Sequence, residues 1–257
     1  MNTKLFLQER REKIITLLER EGRVSVPDLA ERFRLSQATI RSDLDALAAQ
    51  GLLLRTHGGG IALDRTDLEL SFDIRRRLHS PQKQRIATAA AAMVEDGDAI
   101  ALDASTTALA LASQIKARRE LTVVTNSLFI AKALLDAPGI TVLMPGGFLR
   151  RDSISLVGTE GIDFIKQFHF QKGFFSAKGL TLEDGLTDVN NAEVAVKREW
   201  VAHARQVIAL VDSSKWGRVG FASFASIGQV DCIITDTDAP PSMVAALREA
   251  GVEVILT

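Results

Sequence analysis

The stretch that decides the fold of the first part of the chain is residues 25–54, SVPDLAERFRLSQATIRSDLDALAAQGLLL. Pro27 suits the first turn of a helix, because the residue there does not need an N–H group. After a tight turn, Ser36 is a good N-cap for the next helix. Apolar residues then recur at spacings of four and three from Ile40 to Leu47, which predicts one buried helical face. The stretch therefore predicts two helices joined by a tight turn.

Short elements flank this pair of helices. An apolar stripe at helical spacing, ending at Leu18, predicts an earlier helix, and the alternation around Ser25 predicts a very short strand. Two apolar runs, 52–54 and 61–63, surround three glycines and predict a hairpin. The order helix, strand, helix, turn, helix, hairpin over residues 1–63 is that of a winged helix-turn-helix domain.

The helix that follows Ser36 carries a polar face opposite its buried one. A step of about 100° per residue puts Ala38, Ser42 and Asp45 on that face, with Arg41 between the two faces. Small or hydrogen-bonding side chains near a helix N-terminus can meet phosphates and base edges, and arginine suits guanine or phosphate. We expect this helix and the hairpin beside it to contact DNA; the plain alternative is a helical pair that serves protein contacts only. The expected DNA-binding residues are Ser36, Gln37, Ala38, Thr39, Arg41, Ser42, Arg55 and His57.

A longer set of residues in this domain resembles a known family. The residues that carry the resemblance are Thr39-Ile40-Arg41, Asp43-Leu44, Gly51-Leu52 and Arg55-Thr56-His57-Gly58-Gly59. Together they are similar to the N-terminal domain of DeoR-type (glycerol-3-phosphate-repressor-like) bacterial transcription regulators. The resemblance implies binding to double-stranded operator DNA. Ser42 departs from the arginine that is usual there, which implies one lost cationic contact or a changed sequence preference.

The rest of the chain predicts an α/β domain. Residues 64–80 lack a clear apolar period and are expected to be a linker with some helix, in which the run of three arginines at 75–77 is interpreted as a solvated face. Residues 81–257 are expected to form the second domain. Its predicted strands are nearly continuous in apolar character, as in a mostly parallel sheet that is covered on both faces. They are residues 99–102, 121–125, 140–144, 174–175, 207–211, 232–235 and 252–256.

Small polar clusters follow most of these strands, so they should converge at the carboxyl edge of the sheet, where open α/β folds bind ligands. Hydroxyls and free N–H groups at Ser105, Thr106 and Thr107 can cradle an anion at a helix start. Three basic residues can neutralise a phosphate, and three acidic residues can accept hydrogen bonds from hydroxyls. A single cluster of this kind is often an ordinary turn or cap, but the set predicts a sugar-phosphate site. The three basic residues are Arg150, Lys178 and Lys215, and the three acidic residues are Asp103, Asp184 and Glu193.

The family resemblance extends over nearly the whole chain, through KQRIATAAAAMVEDGDAIALDASTT, LTVVTNS, PGGFLR, DGLTD and VIALVDSSKWG. It implies an effector domain similar in fold to ribose-5-phosphate isomerase that binds a phosphorylated sugar or a related metabolite. Departures at Gln171, Ser176 and Lys178, the last a cation where many members have aspartate, imply a changed ligand preference. The residues that fall on its ligand motifs are Asp103, Ser105, Thr106, Thr107, Asn126, Ser127, Gly146, Gly147, Asp184, Gly185, Glu193, Lys197 and Lys215.

Composition excludes several other classes of protein. The 257 residues include one cysteine and 46% apolar residues, and the formal net charge is −1; this fits a globular protein without a disulfide framework. The sequence supports no metal site, cofactor, signal segment or membrane span, so a cytoplasmic protein is expected. An isomerase or deaminase with an appended DNA-binding domain is the second hypothesis. We prefer a repressor of carbohydrate genes, not an enzyme, that assembles at least as a dimer and leaves its operator when the metabolite binds.

Overall fold

The computed structural model describes residues 7–49, 52–61 and 72–257, and the chain divides into two compact units, Met1–Arg65 and Thr66–Thr257. None of the helices in these described ranges has the length and apolar character needed to cross a bilayer. The elements of the first unit are α1 (Leu7–Glu21), β1 (Arg23–Ser25), α2 (Val26–Phe33), α3 (Gln37–Ala49), β2 (Leu54–Thr56) and β3 (Gly59–Ile61).

The first unit is a winged helix-turn-helix, which confirms the prediction. Ser25 caps α2 by accepting a hydrogen bond from the Asp28 amide, and Ser36 accepts one from the Thr39 amide at 3.1 Å. The wing is the antiparallel pair β2–β3, and β3 also pairs with β1. A side chain at Gly59 would lie 1.9 Å from the Val24 carbonyl oxygen, so this close approach of the wing to β1 requires glycine.

A buried acidic residue joins the first and third helices of this unit. Asp43 is 1% exposed and accepts hydrogen bonds from the Nε atoms of Arg10 at 2.5 Å and Arg11 at 3.0 Å. Around it lie apolar side chains from both helices, including Ile14 and Leu44. A buried carboxylate is tolerated only when it is paired and hydrogen-bonded, so this triad fixes the position of α3 against α1.

We expect Asp43→Asn to destabilise the first unit by about 3–5 kcal/mol, because it leaves two arginines next to a neutral group in a buried site. Asp45→Asn is the matched control: Asp45 is largely exposed and pairs with Arg55 at 2.6 Å, so little change is expected. Hydrogen exchange of α1 and α3 amides in the full-length protein measures the difference. Equal protection in both variants would show that the triad does not hold the two helices together.

The second unit has its helices and strands in the alternating order expected of an α/β domain. Its elements are α4 (Phe72–Arg77), α5 (Ser80–Ala92), β4 (Ala99–Leu102), α6 (Thr106–Gln114), β5 (Leu121–Thr125), α7 (Leu128–Leu134), β6 (Ile140–Leu143), β7 (Phe148–Arg150), β8 (Ser155–Val157), α8 (Thr159–Ile165), β9 (Phe170–Phe175), β10 (Gly179–Thr181), β11 (Gly185–Asp188), α9 (Asn191–His203), β12 (Ala204–Leu210), β13 (Ala222–Ala225), β14 (Cys232–Thr235), α10 (Pro241–Glu249) and β15 (Glu253–Leu256), with 3-10 turns at Ser213–Lys215 and Ile227–Gln229.

Its centre is a seven-stranded parallel sheet in the order β15-β14-β12-β9-β4-β5-β6. One apolar core lies between the sheet and α5, α6 and α7, and the other lies between the sheet and α8, α9 and α10. Successive strand residues alternate between the two cores, as Ile100 and Ala101 do. Because both faces are covered, the strands are apolar throughout, as the sequence predicted.

Two small antiparallel units stand beside the main sheet, and the sequence analysis missed both. The strands β7 and β8 form a hairpin, while β10, β11 and β13 form a three-stranded sheet. Each of these strands has only three or four residues, too short for an apolar pattern to distinguish from a loop.

Residues 72–80, the described part of the predicted linker, contain the short helix α4 and pack against the second unit. Phe72 is 2% exposed, and its ring stacks on Phe129 at 4.4 Å between centroids. Its amide donates a hydrogen bond to the Asp152 carbonyl at 3.0 Å. Because α4 packs its one aromatic residue, Phe72, against Phe129 of α7, this short helix belongs to the second unit. Residues 64–71 lie outside the described residues.

Candidate DNA-binding surface and effector site

The polar face predicted for α3 is exposed. Ser36, Gln37, Ala38, Arg41 and Ser42 are all exposed, and Thr39 is partly exposed. The Arg41 guanidinium donates a hydrogen bond to the Gln37 side-chain oxygen at 3.0 Å, so these two long side chains stand together one helical turn apart. This face is suited to a nucleic acid because it offers a cation, an amide and small hydroxyl groups near a helix N-terminus.

The two wing residues differ in their surroundings. His57 is exposed at the turn between β2 and β3. Arg55 is partly buried, where its Nε atom donates to Asp45 and one terminal nitrogen donates to the Thr56 and Gly59 carbonyls. Arg55 therefore ties the wing to α3, a role that the sequence did not indicate.

In the second unit, Lys197 of α9 is the centre of a buried ion cluster. Its ammonium lies 3.0 Å from Asp103 Oδ2, 2.7 Å from Asp188 Oδ2 and 2.7 Å from the Ser176 carbonyl oxygen. Burial opposes its charge, but the two carboxylates raise the pKa of Lys197 well above its usual value. An ammonium has three donors, and all three are used. Lys197 thus positions Asp103, and the expectation that it binds ligand directly stays a prediction.

Two acceptor atoms at neighbouring strand ends have no hydrogen-bond partner among the described residues. They are Oδ1 of Asp103, directly after β4, and Oδ1 of Asn126, directly after β5. Both side chains are 1% exposed. The amide of Asn126 is oriented by its nitrogen, which donates to the Leu156 carbonyl and to Glu193. Buried acceptors without donors are uncommon, and two side by side fit a ligand that supplies hydroxyl donors.

Glu193, also expected to select hydroxyls, is occupied inside the protein. Its carboxylate accepts hydrogen bonds from Asn126 Nδ2 at 3.2 Å, Ser153 Oγ at 2.9 Å and Ser155 Oγ, and it pairs with Arg150 at 3.4 Å. These contacts join the β7–β8 hairpin to α9. Glu193 and Arg150 are engaged with each other here, so the interpretations of Glu193 as a ligand acceptor and of Arg150 as a phosphate partner stay predictions.

The loop expected to cradle a phosphate lies at the start of α6. Ser105 is the N-cap, since its hydroxyl accepts a hydrogen bond from the Ala108 amide at 3.0 Å. Thr107 is buried, and Thr106 lines a cavity of about 480 Å³ between α4, α5, α6 and α7. Three basic residues also line the cavity, and its apolar wall includes Phe129. The three basic lining residues are Arg76, Lys83 and Lys132.

Other expected site residues have mainly structural roles. Ser127 caps α7. Gly147 has a φ of +133°, and a side chain there would lie 2.4 Å from the Val157 carbonyl oxygen, so it allows the hairpin to pack, whereas a side chain at Gly146 would meet open space. Asp184 and Gly185 form the turn between β10 and β11, at the far end of that hairpin from Lys178; the structure does not bring them to the sheet edge.

Two of the three family departures lie at the carboxyl edge. Ser176 donates its amide to Asp103 Oδ2 at 2.9 Å, and Lys178 follows two residues later. Gln171 lies at the opposite end of β9, where its side chain accepts a hydrogen bond from the Ala99 amide at 2.8 Å. Gln171 is thus remote from the effector edge, and its expected influence on ligand preference is corrected.

Charged neighbours shift the pKa values of Lys178 and Asp212, and the sequence analysis did not predict these shifts. Burial, together with Lys215, Arg218 and Arg75, lowers the pKa of Lys178 to about 8. Burial raises the pKa of Asp212, but nearby cations, Lys215 foremost, outweigh it and lower the pKa to about 2. Arg75 was interpreted as part of a solvated face, yet it is partly buried and lies over the Phe72 ring; Arg76 and Arg77 are exposed as expected.

Comparison with protein families matches both units of the chain. The family described as "DeoR-like helix-turn-helix domain" matches residues 10–66, and the one described as "DeoR C terminal sensor domain" matches residues 78–237. The chain belongs to the DeoR family of transcriptional regulators. This DeoR-family chain carries the DNA-binding and sensor domains in the order that the sequence predicted.

Named relatives of this DeoR-family chain match it over almost their full length. The HTH-type transcriptional regulator GolR of Listeria innocua is 36% identical over 97% of this chain and 98% of its own. The glycerol-3-phosphate regulon repressor of Escherichia coli K12 is 33% identical, covering 96% and 98%. The HTH-type transcriptional repressor GlcR of Bacillus subtilis is 32% identical, covering 98% and 97%.

Solved structures similar to this chain include a D-ribose-5-phosphate isomerase in complex with phospho-erythronic acid. Its identity to this chain is 14%, its TM-score is 0.41, and the match covers 53% of this chain and 54% of that one. The isomerase from Methanocaldococcus jannaschii is also 14% identical, with a TM-score of 0.39 and coverage of 53% and 54%. The fold of this DeoR-family sensor domain is defined by its seven-stranded parallel sheet.

We expect Lys197→Met to destabilise the sensor domain by about 3–5 kcal/mol, because it leaves Asp103 and Asp188 buried without their shared cation. Lys116→Met is the matched control, since Lys116 pairs with Asp136 on the surface and should change little. Denaturant unfolding of the full-length variants, followed by the fluorescence of buried Trp200, measures the change. Equal unfolding midpoints for the two variants would contradict the role given to Lys197.

Proposed function

We propose that this chain is a repressor of carbohydrate-metabolism genes that binds operator DNA through α3 and the wing and leaves it when a phosphorylated sugar binds the sensor domain. The observation that carries the effector half of the proposal is the pair of buried acceptors on Asp103 and Asn126, next to basic residues of the same sheet edge. The family membership supports the DNA-binding half.

The DNA contact is supported by the exposed face of α3. Arg41 stands one turn from Gln37 and is held by it, so the guanidinium is oriented before DNA is met. Arginine makes bidentate contacts to guanine or binds phosphate, and a lost contact of this kind costs about 1–3 kcal/mol. His57 at the tip of the wing is placed for a contact to the DNA backbone.

We expect Arg41→Ala to weaken operator binding by about 1–3 kcal/mol while the fold survives. The purified protein first selects its operator duplex from a pool of random DNA sequences. The affinity of each variant for that duplex is then measured by fluorescence anisotropy. Arg205→Ala, an exposed arginine on β12 of the sensor domain, is the control for loss of one positive charge. The same loss of affinity in both variants, or none in Arg41→Ala, would contradict a specific contact by Arg41.

The chemistry of a sugar phosphate matches the effector site in two respects. Its hydroxyls can donate to Asp103 Oδ1 and Asn126 Oδ1, which lack donors among the described residues. Its phosphate can be held at Thr106, whose cavity is also lined by Arg76 and Lys83 and is of the size usual for small ligands. Lys215, expected to neutralise the phosphate, lies instead beside Lys178 and Asp212, so that role stays a prediction.

An enzymatic role finds less support in the same geometry. Glu193 accepts hydrogen bonds from three protein groups and pairs with Arg150, so its carboxylate is engaged in holding the β7–β8 hairpin to α9. Asp103 is paired with Lys197. General acid–base catalysis needs a group that can exchange its proton with the substrate. We therefore infer that the chain is not an enzyme; turnover of a bound sugar phosphate by the purified protein would overturn this.

We expect Thr106→Glu to keep DNA binding but to lose release by the metabolite. A carboxylate in the first turn of α6 is favourable for the helix, yet it repels a phosphate there. Gln114→Glu, an exposed position in the last turn of the same helix that does not line the cavity, is the matched control and should respond almost as the parent does. Titration of the operator complex with a phosphorylated sugar compares the three proteins. Equal release of DNA from all three proteins would show that the phosphate does not bind at Thr106.

We also infer that the chain works as a homo-oligomer, at least a dimer. One winged domain covers a short DNA segment, and two are needed to read a palindromic operator with high affinity. Light scattering of the full-length protein at micromolar concentration tests this, and a strictly monomeric mass would overturn it.

A further inference from the structure

Lys178 lies in a cluster of four cations at the sheet edge. It follows β9, and its amide donates to the Thr187 carbonyl at 2.8 Å. Just beyond it, a side chain at Gly179 would lie 2.1 Å from the Arg218 carbonyl oxygen, and the Gly217 amide donates to the Leu180 carbonyl at 2.9 Å. These contacts bring Lys178 next to the turn that carries Lys215 and Arg218. Arg75 of α4 completes the cation cluster.

The carboxylates near the cation cluster already have partners. Asp188 attracts Lys178 but lies 2.7 Å from Lys197, and Asp212 is held by the Ser214 hydroxyl and by the charge of Lys215. Within the described part of the chain, no hydrogen bond or ion pair joins the Lys178 ammonium to another side chain. A partly buried ammonium among like charges is unfavourable, and a bound anion would remove that penalty.

The cation cluster is separate from the place proposed for the phosphate. Thr106 follows β4, whereas Lys178 follows β9, the neighbouring strand on the side away from β5. Between them lies Asp103, which accepts a hydrogen bond from the Ser176 amide on Oδ2 and has no donor for Oδ1 within residues 7–49, 52–61 and 72–257. Along the edge the Asp103 acceptor thus lies between the phosphate cradle and a second anion site, while the Asn126 acceptor lies on the β5 side of the cradle.

From this order we propose that the effector carries a second anionic group, a carboxylate at the sugar end opposite the phosphate, and that Lys178 and its neighbouring cations bind it. The ligand class is a phosphorylated sugar acid. The inference rests on the proposed function, because it takes the phosphate at Thr106 as given. A second phosphate has the same charge chemistry, so bisphosphates are included as a separate arm of the test.

The test compares matched ligands that differ only at the second group. Tetrose, pentose and hexose phosphates are each paired with the phosphorylated aldonic acid of the same sugar, fructose 6-phosphate is paired with fructose 1,6-bisphosphate, and inorganic phosphate is the control. Calorimetry on the full-length protein should show at least one acid binding ten-fold or more tightly than its aldose partner. In Lys178→Gln that preference should fall below about three-fold, while Lys116→Gln keeps it.

The Lys178 ammonium also gives a readout that a structural role would not produce. Since its pKa is about 8, the side chain is largely neutral at pH 9, and an anion beside it should cause uptake of close to one proton on binding. At that pH phosphate and carboxylate groups are already ionised. Calorimetry in two buffers with different ionisation enthalpies measures the uptake, which should be small at pH 7 and absent in Lys178→Gln.

The outcomes separate this inference from the proposed function. Aldose phosphates that bind and release DNA, with no acid preferred, would overturn the inference alone. An acid preference that persists in Lys178→Gln would do the same. A preference for the bisphosphate and not the acids would overturn the carboxylate assignment. No binding by any member of the panel would overturn the proposed function and the inference with it.

Discussion

The sensor domain depends on the buried Lys197 ammonium and the two carboxylates that it joins. Lys197 from α9 holds Asp103 after β4, Asp188 at the end of β11 and the Ser176 carbonyl after β9. Four segments of the second unit therefore meet at one charge. The same contact leaves Asp103 with one committed oxygen and one that has no partner in the part of the chain that the structure describes. A structural ion pair and a ligand acceptor are thus built from a single side chain.

Strong apolar runs made the main sheet predictable, whereas polar strand ends and short strands did not. The strands Ala99–Leu102, Leu121–Thr125 and Cys232–Thr235 have the predicted bounds, because they are covered on both faces. Strand β9 was predicted four residues too short, since Gln171 and Lys172 at its solvent-facing start are polar; Lys172 is held there by Asp98 at 2.7 Å. The short helix α4 was interpreted as linker because its stability comes from the packing of one residue, Phe72.

The sequence predicted most of the polar residues at the carboxyl edge of the sheet, but not which of them are held by other protein groups. The sequence located most of the polar residues that converge at the carboxyl edge, because parallel strands end together. It could not tell which donors and acceptors satisfy one another: Lys197 and Glu193 bind several protein groups, while Asp103 and Asn126 each keep one acceptor without a donor among the described residues. Those pairings depend on contacts between residues up to 94 positions apart, as for Lys197 and Asp103, and no local pattern encodes them.

The account holds that one molecule of metabolite in the sensor domain lowers the affinity of the other domain for DNA. Coupling of this kind is reciprocal, so DNA must lower the affinity for the metabolite by the same factor. The direct measurement is the dissociation constant of the releasing metabolite, determined by calorimetry with the free protein and with the protein saturated by its selected operator. The account predicts weaker binding in the complex, by the same factor by which the metabolite weakens operator binding. Equal metabolite affinity in both states would contradict it.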